Sequence, residues 1–140
     1  MNVLLDTNIM LDYLQHRADF DVAEKIINLC ARKELNCFMA AHSVPNMFFI
    51  LRKVFSEEER RELLLGLIEL IPVVSIDHEM IAKALNKRSF SDFEDCLQSE
   101  CASSVDVEYI ITRNVSDFAE SHIPAIHPND FWEMYGNWID

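Results

Sequence analysis

Met1-Asn2-Val3-Leu4-Leu5-Asp6-Thr7-Asn8 opens the chain, and three apolar residues in it run without a break into a carboxylate. A short apolar run with no polar alternation is the pattern of a strand covered on both faces, as at the centre of a parallel sheet. Sheets of that kind hold their ligand crevice just beyond the carboxyl ends of the strands, where Asp6 falls. Ile9, Met10, Leu11, Tyr13 and Leu14 follow at helical spacing. Asp6 or Thr7 can equally serve as the cap of that helix, since both side chains accept hydrogen bonds from first-turn amides.

Outward from this stretch, helical and strand-length patterns alternate. Asp19 or Asp21 starts a helix that carries Ala23, Ile26, Ile27, Cys30 and Ala31, and an apolar run over 37–41 reads as the second strand. Ser43 is a credible N-cap, and Pro45 fits the first turn of the helix bearing Met47, Phe48, Ile50, Leu51 and Val54. Ser56 with Glu59 forms a capping-box pattern ahead of a helix through Ile71. Val73, Val74 and Ile76 read as a third strand, and Asp77 caps a helix through Leu85. A helix from Ser91–Asp92 to about Val107 leads into a fourth strand, Tyr109–Ile111, and a fifth is expected over 123–126. Pro128 opens a terminal helix whose Trp132, Tyr135 and Trp138 suit packing on the domain or on a second copy. The alternation predicts an α/β layered domain with a mainly parallel sheet.

Composition narrows the function. At 140 residues, half of them hydrophobic and only two of them glycine, the chain fits one domain over 1–140 with a real core. A formal charge of −12, from 24 acids against 12 Lys and Arg, argues against a broad basic face for polyanions. It leaves room for a local basic groove, or for a metal that offsets acids in a site. No segment has the order of a signal peptide, and no apolar stretch approaches a membrane span. Cys30, Cys37, Cys96 and Cys101 form no CxxC pair and read as reduced core thiols of a cytoplasmic protein. The five histidines make no zinc spacing.

Two further acids stand out. On a helical wheel Phe93, Cys96, Leu97, Cys101 and Val105 share one face, with Asp92, Asp95 and Ser99 roughly opposite. Asp92 and Asp95 are helical neighbours, and Ser91 with Glu94 reads as a capping box. That assigns Glu94 to the cap and leaves Asp95 for function. Asp117 lies in the loop that leaves the carboxyl end of the fourth strand, so a parallel fold can gather Asp6, Asp95 and Asp117. Carboxylates so gathered repel unless a hard cation such as Mg²⁺ or Mn²⁺ joins them. A metal held that way keeps water ligands and suits phosphoryl chemistry. A phospho-receiver or a haloacid-type hydrolase also places Asp after a first strand. The former needs paired N-terminal acids and a matching Lys, the latter an acid where this chain has Asn8.

LLDTNIMLDYL from Leu4, DFEDCLQ from Asp92, YIITRNVSDF from Tyr109 and IPAIHPNDFW from Ile123 together resemble the PIN domain. The likeness is to the bacterial branch that includes VapC-type toxins, and it spans essentially the whole chain. It implies a three-layer α/β/α sandwich with a parallel sheet of four or five strands, and a Mg²⁺- or Mn²⁺-dependent endoribonuclease cutting RNA. Position by position it implies metal-binding, catalytic roles for Asp6, Asp95 and Asp117. Asn114 matches the polar residue that accompanies the last acid, and Thr112 and Asn8 match supporting positions. The family's usual Glu on the helix after the second strand is missing; Asn46 is the nearest polar residue there, and Asp92 is a candidate to compensate in part.

Arg113 is the basic residue expected near substrate phosphate. Arg52, Lys53, Arg60, Arg61, Lys87 and Arg88 read either as a grip for RNA or as ordinary helix ends. If the chain is a toxin, an antitoxin protein is its natural partner, and homodimers are common in the resembled family. The alternative, favoured by the missing Glu and the acidic charge, is a catalytically weakened PIN-like module that binds RNA or a partner protein.

Overall fold

Val3, Leu4 and Leu5 are completely buried because strand β1 (Asn2–Leu5) is the middle of five. The computed structural model describes residues 1–139; the side chain of Trp138 lies outside the described residues. Strand order is β3 (Val73–Val74), β2 (Asn36–Ala40), β1, β4 (Tyr109–Ile111), β5 (Ala125–Ile126), and every pairing is parallel. Val3 stands beside Cys37 on one side and Tyr109 on the other. The third and fifth strands are shorter than their apolar runs suggest.

Alternation along β1 divides the core in two, as strand geometry requires. Val3 and Leu5 pack with α1 (Thr7–Leu14), α2 (Phe20–Ala31), α3 (Ser43–Ile50), α4 (Glu57–Leu70) and α7 (Pro128–Ile139). Leu4 faces the opposite layer, formed by α5 (His78–Asn86) and α6 (Phe93–Ser104). The chain first builds outward from β1 to β3, then returns across β1 to build β4 and β5. The switch point therefore lies between β1 and β4, whose carboxyl ends carry Asp6 and Thr112. No helix among the described residues is long and apolar enough to cross a membrane.

Local signals account for most boundaries. Asp6 caps α1 through its side chain on the Thr7 amide, and Asp77 caps α5 through the Met80 amide. The Ser56–Glu59 capping box is formed in both directions. Three local readings change. Ser43 is not a cap but the first residue of α3, behind His42, because its hydroxyl is taken up by Thr7 and Gln98. Cys30 and Cys37 are joined as a disulfide, with Cα atoms 5.9 Å apart, while Cys96 and Cys101 are free and buried. Helix α6 is buried on every side from Cys96 to Ala102, because the sheet, α5 and the turn at 115–118 enclose it. Cys96, Leu97 and Cys101 are buried as the amphipathic reading expects, but Phe93 is exposed at the head of the helix and Ser99 is buried.

Leu4 tests the central position of β1. Leu4→Ala is expected to lower unfolding free energy by about 2–5 kcal/mol, as for other fully buried leucines. Urea denaturation checks this, and a loss below about 1 kcal/mol would contradict the packing.

Candidate active site

Asp6 is fastened at the switch point by three donors. The Thr7 amide donates to Oδ1 at 2.8 Å, the Thr112 hydroxyl to Oδ2 at 2.7 Å, and the Asn8 amide group to Oδ2 at 3.2 Å. Asn8 also donates to Thr112 Oγ1 at 3.3 Å, and the Asn114 amide donates to the same oxygen at 3.0 Å. Thr112 is completely buried. The expected supports, Asn8 and Thr112, therefore meet Asp6 directly, and Asn114 reaches it through Thr112.

Opposite stands the first turn of α6. Asp6, Asn8, His42, Asn46, Glu94, Asp95, Gln98 and Asn114 share the lining of a cleft of about 360 Å³. Beneath it Thr7 and Ser43 hydroxyls lie 2.8 Å apart, and the Gln98 amide nitrogen donates to Ser43 at 2.9 Å and to Thr7 at 3.3 Å. This small polar core joins α1, α3 and α6 under the cleft. Asp117 is exposed and outside its lining, though its charge reaches both Asp6 and Asp95.

Electrostatics marks the cleft more sharply than shape. Asp95 is pushed up to about 7 from 3.8, first by burial and then by the charges of Asp92, Asp6, Asp117 and Glu94. Asp6 is also raised, chiefly by burial, against the lowering effect of the Thr112 hydroxyl and the Thr7 amide. His42 is lowered by burial despite the acids around it. Among the described residues no three His, Cys, Asp or Glu side chains meet closely enough to enclose a metal by themselves.

Several expected roles fall differently. Asp92, not a Ser91–Glu94 box, caps α6, its carboxylate accepting from the Asp95 amide at 3.0 Å. Glu94 is thereby released to the cleft, where Asn46 Nδ2 donates to its Oε2 at 3.4 Å. Arg113 is not presented to the cleft: its Nε lies 2.7 Å from Asp12 Oδ2 and 3.8 Å from Asp19. Asp12 is buried to 1% exposure, so this cation is committed to it. Arg52 and Arg60 lie over Phe49 and Phe48, Arg61 bridges to Glu57, and Lys87 lies over Phe90. His42, Glu94 and Gln98 escaped the sequence reading. The available signal was their spacing: His42 follows the second strand, and Glu94 and Gln98 are one helical turn apart beside Asp95.

The family profile described as PIN domain matches residues 2–116. No curated protein matches the chain in sequence. In structure it is similar to FitAcB from Neisseria gonorrhoeae, with TM-score 0.70, 14% identity and coverage of 90% of this chain and 97% of that one. A toxin-antitoxin complex from Klebsiella pneumoniae gives TM-score 0.65 and 22% identity over 90% of this chain and 97% of that one. VapC20 from Mycobacterium tuberculosis, described as a sarcin-ricin loop cleaving toxin, gives 0.61 and 12% over 77% and 86%. At these identities the likeness is one of fold.

The raised Asp95 makes a pH prediction. Between 3.8 and about 7 the folded chain keeps a proton that the unfolded chain has released. Stability attributable to this group therefore falls as pH rises through that window and is level on either side. In chelator at alkaline pH, Asp95→Asn is expected to be more stable than the parent by about 1–2 kcal/mol, a figure reduced for partial exposure. Below the ordinary carboxylate range the two should unfold together. Urea unfolding at both extremes decides it, and equal stability at alkaline pH would contradict a cost of charging Asp95 in the folded chain.

Proposed function

The chain belongs to the PIN domain family, and from that premise we propose that it is a Mg²⁺- or Mn²⁺-dependent endoribonuclease working at the cleft between Asp6 and Asp95. The observation that carries the reading is the convergence of Asp6, Glu94 and Asp95 on one cleft, where burial and neighbouring acids disfavour the charge of Asp6 and Asp95. Such an arrangement is costly unless a cation offsets it. The donors are hard oxygens, which suit Mg²⁺ or Mn²⁺. Because few of them converge, water would complete the shell, as Mg²⁺ prefers.

A bound cation supplies charge neutralisation and Lewis acidity at the scissile phosphodiester. The chain supplies the rest. Thr7, Asn8 and Thr112 hold the Asp6 carboxylate in one orientation before any ligand arrives. Asp95 lines the same cleft from the enclosed helix α6, and Asp117 is exposed nearby. A carboxylate held as Asp6 is needs little reorganisation when the cation and phosphate bind. The cleft volume, about 360 Å³, is in the range that encloses one small unit of a ligand.

The same reading extends to partners. Two of the similar structures come from proteins described as a toxin or a toxin-antitoxin complex. In the cleft lining Phe49 and Ile50 are 61% and 36% exposed, an apolar edge next to acids. An antitoxin that covers the acids and this edge is the proposed partner, and RNA is the proposed substrate.

Mn²⁺-dependent cleavage of structured RNA tests the proposal. Asp6→Ala and Asp95→Ala should each lower cleavage on the order of a hundredfold or more, and chelator should abolish it. Equal cleavage by all three proteins would mean that the activity is not theirs. Absence of cleavage, together with absence of cation binding, would favour the binding module.

A further inference from the structure

Helix α3 brings no acid to the cleft, yet a carboxylate occupies that side. Glu94 comes from α6, and the corner between β2 and α3 grips it twice. Asn46 Nδ2 donates to its Oε2 at 3.4 Å, and His42 Nε2 donates to its carbonyl oxygen at 3.1 Å. Glu94, Asp95 and Gln98 lie within about 100° of arc on α6. All three line the cleft with Asp6.

A charged first-turn side chain has a general reason to be there, since acids suit a helix N-terminus. Two features go beyond that reason. Glu94 adds a third carboxylate to a cleft that Asp6 and Asp95 already line. Gln98, only 2% exposed and on the same helical face, has an amide oxygen with no hydrogen-bond partner among the described residues. Its nitrogen donates to Ser43 and Thr7, which leaves the oxygen as the arm of the amide without a donor. A buried acceptor left without a donor costs stability. An excess of negative charge beside an unsatisfied oxygen has one common remedy, a hydrated cation.

We infer that Glu94 supplies the carboxylate that Asn46 does not, reaching from α6 to bind the divalent cation alongside Asp6 and Asp95, with the Gln98 oxygen facing the hydrated ion. The inference rests on the ribonuclease reading, because it uses the same cation. It transfers the missing acid from one wall of the cleft to the other. Asn46 then positions the new ligand through its amide group, a task that a second carboxylate at 46 would perform poorly against Glu94.

Direct Mn²⁺ binding, followed by calorimetry and by the spin signal of free Mn²⁺, separates the two claims. The parent should bind, and Asp95→Asn should weaken binding. Glu94→Gln should weaken it by about tenfold or more without lowering the metal-free melting temperature. Adding Asn46→Glu to Glu94→Gln should recover much of the loss, because an acid is returned to the opposite wall. Affinity in Glu94→Gln equal to the parent's would overturn the role of Glu94 and leave the ribonuclease reading standing. A loss that Asn46→Glu does not recover would assign Glu94 to holding the helix end, which also overturns it. No binding by the folded parent would remove both claims together.

Discussion

One hydrogen bond, from the buried hydroxyl of Thr112 to Asp6, holds the ends of β1 and β4 in register with the chemistry above them. It sits where the sheet changes its direction of growth, beside the backbone bond from the Asp6 amide to the Ile111 carbonyl that joins the same strand ends. Without it the Asp6 carboxylate would lose its shortest donor in a place where burial already disfavours its charge. Replacing such a donor in a closed site leaves a charged group undersatisfied, which is costly. Cap, strand end and site are thus one arrangement: the same carboxylate starts α1 and faces the cleft.

The parts of the fold that could be read from sequence are those fixed by local physics. Unbroken apolar runs identified the strands, because a strand buried on both faces has no reason to alternate. Ser56 and Glu59 identified a helix start, because their reciprocal bonds need only a three-residue spacing. At Asp92, Ser91 and Glu94 two capping schemes fit the same letters, and packing of α6 against β2 and α3 chose between them. The all-round burial of α6 defeated an amphipathic wheel, since a wheel assumes one wet face. Arg113 and Asp12 are 101 positions apart, as their numbers show, so no local pattern could have paired them. The Cys30–Cys37 bond likewise depends on how the end of α2 returns to β2.

The site also runs against the grain of the rest of the molecule. Elsewhere the acids are spent on caps and ion pairs, as at Asp77, Glu57 and Glu100. At the cleft they are set against one another. Conflicts of this sort between local stability and arrangement are characteristic of functional positions, where the native state carries a cost that a ligand relieves.

The ion pair between Arg113 and Asp12 has a mechanical consequence. Asp6 begins α1 and Asp12 lies near its end, and the segment after β4 grips both, through Thr112 and through Arg113. Two anchors about 1.7 helical turns apart oppose both sliding and rotation of α1 on that segment. On the opposite side α3 is tied to both α1 and α6 by the buried Ser43 hydroxyl, and Asn46 and His42 add exposed contacts to Glu94. The acids of the cleft are therefore held at distances set by the sheet and its first helix, so a ligand meets a span fixed before it arrives.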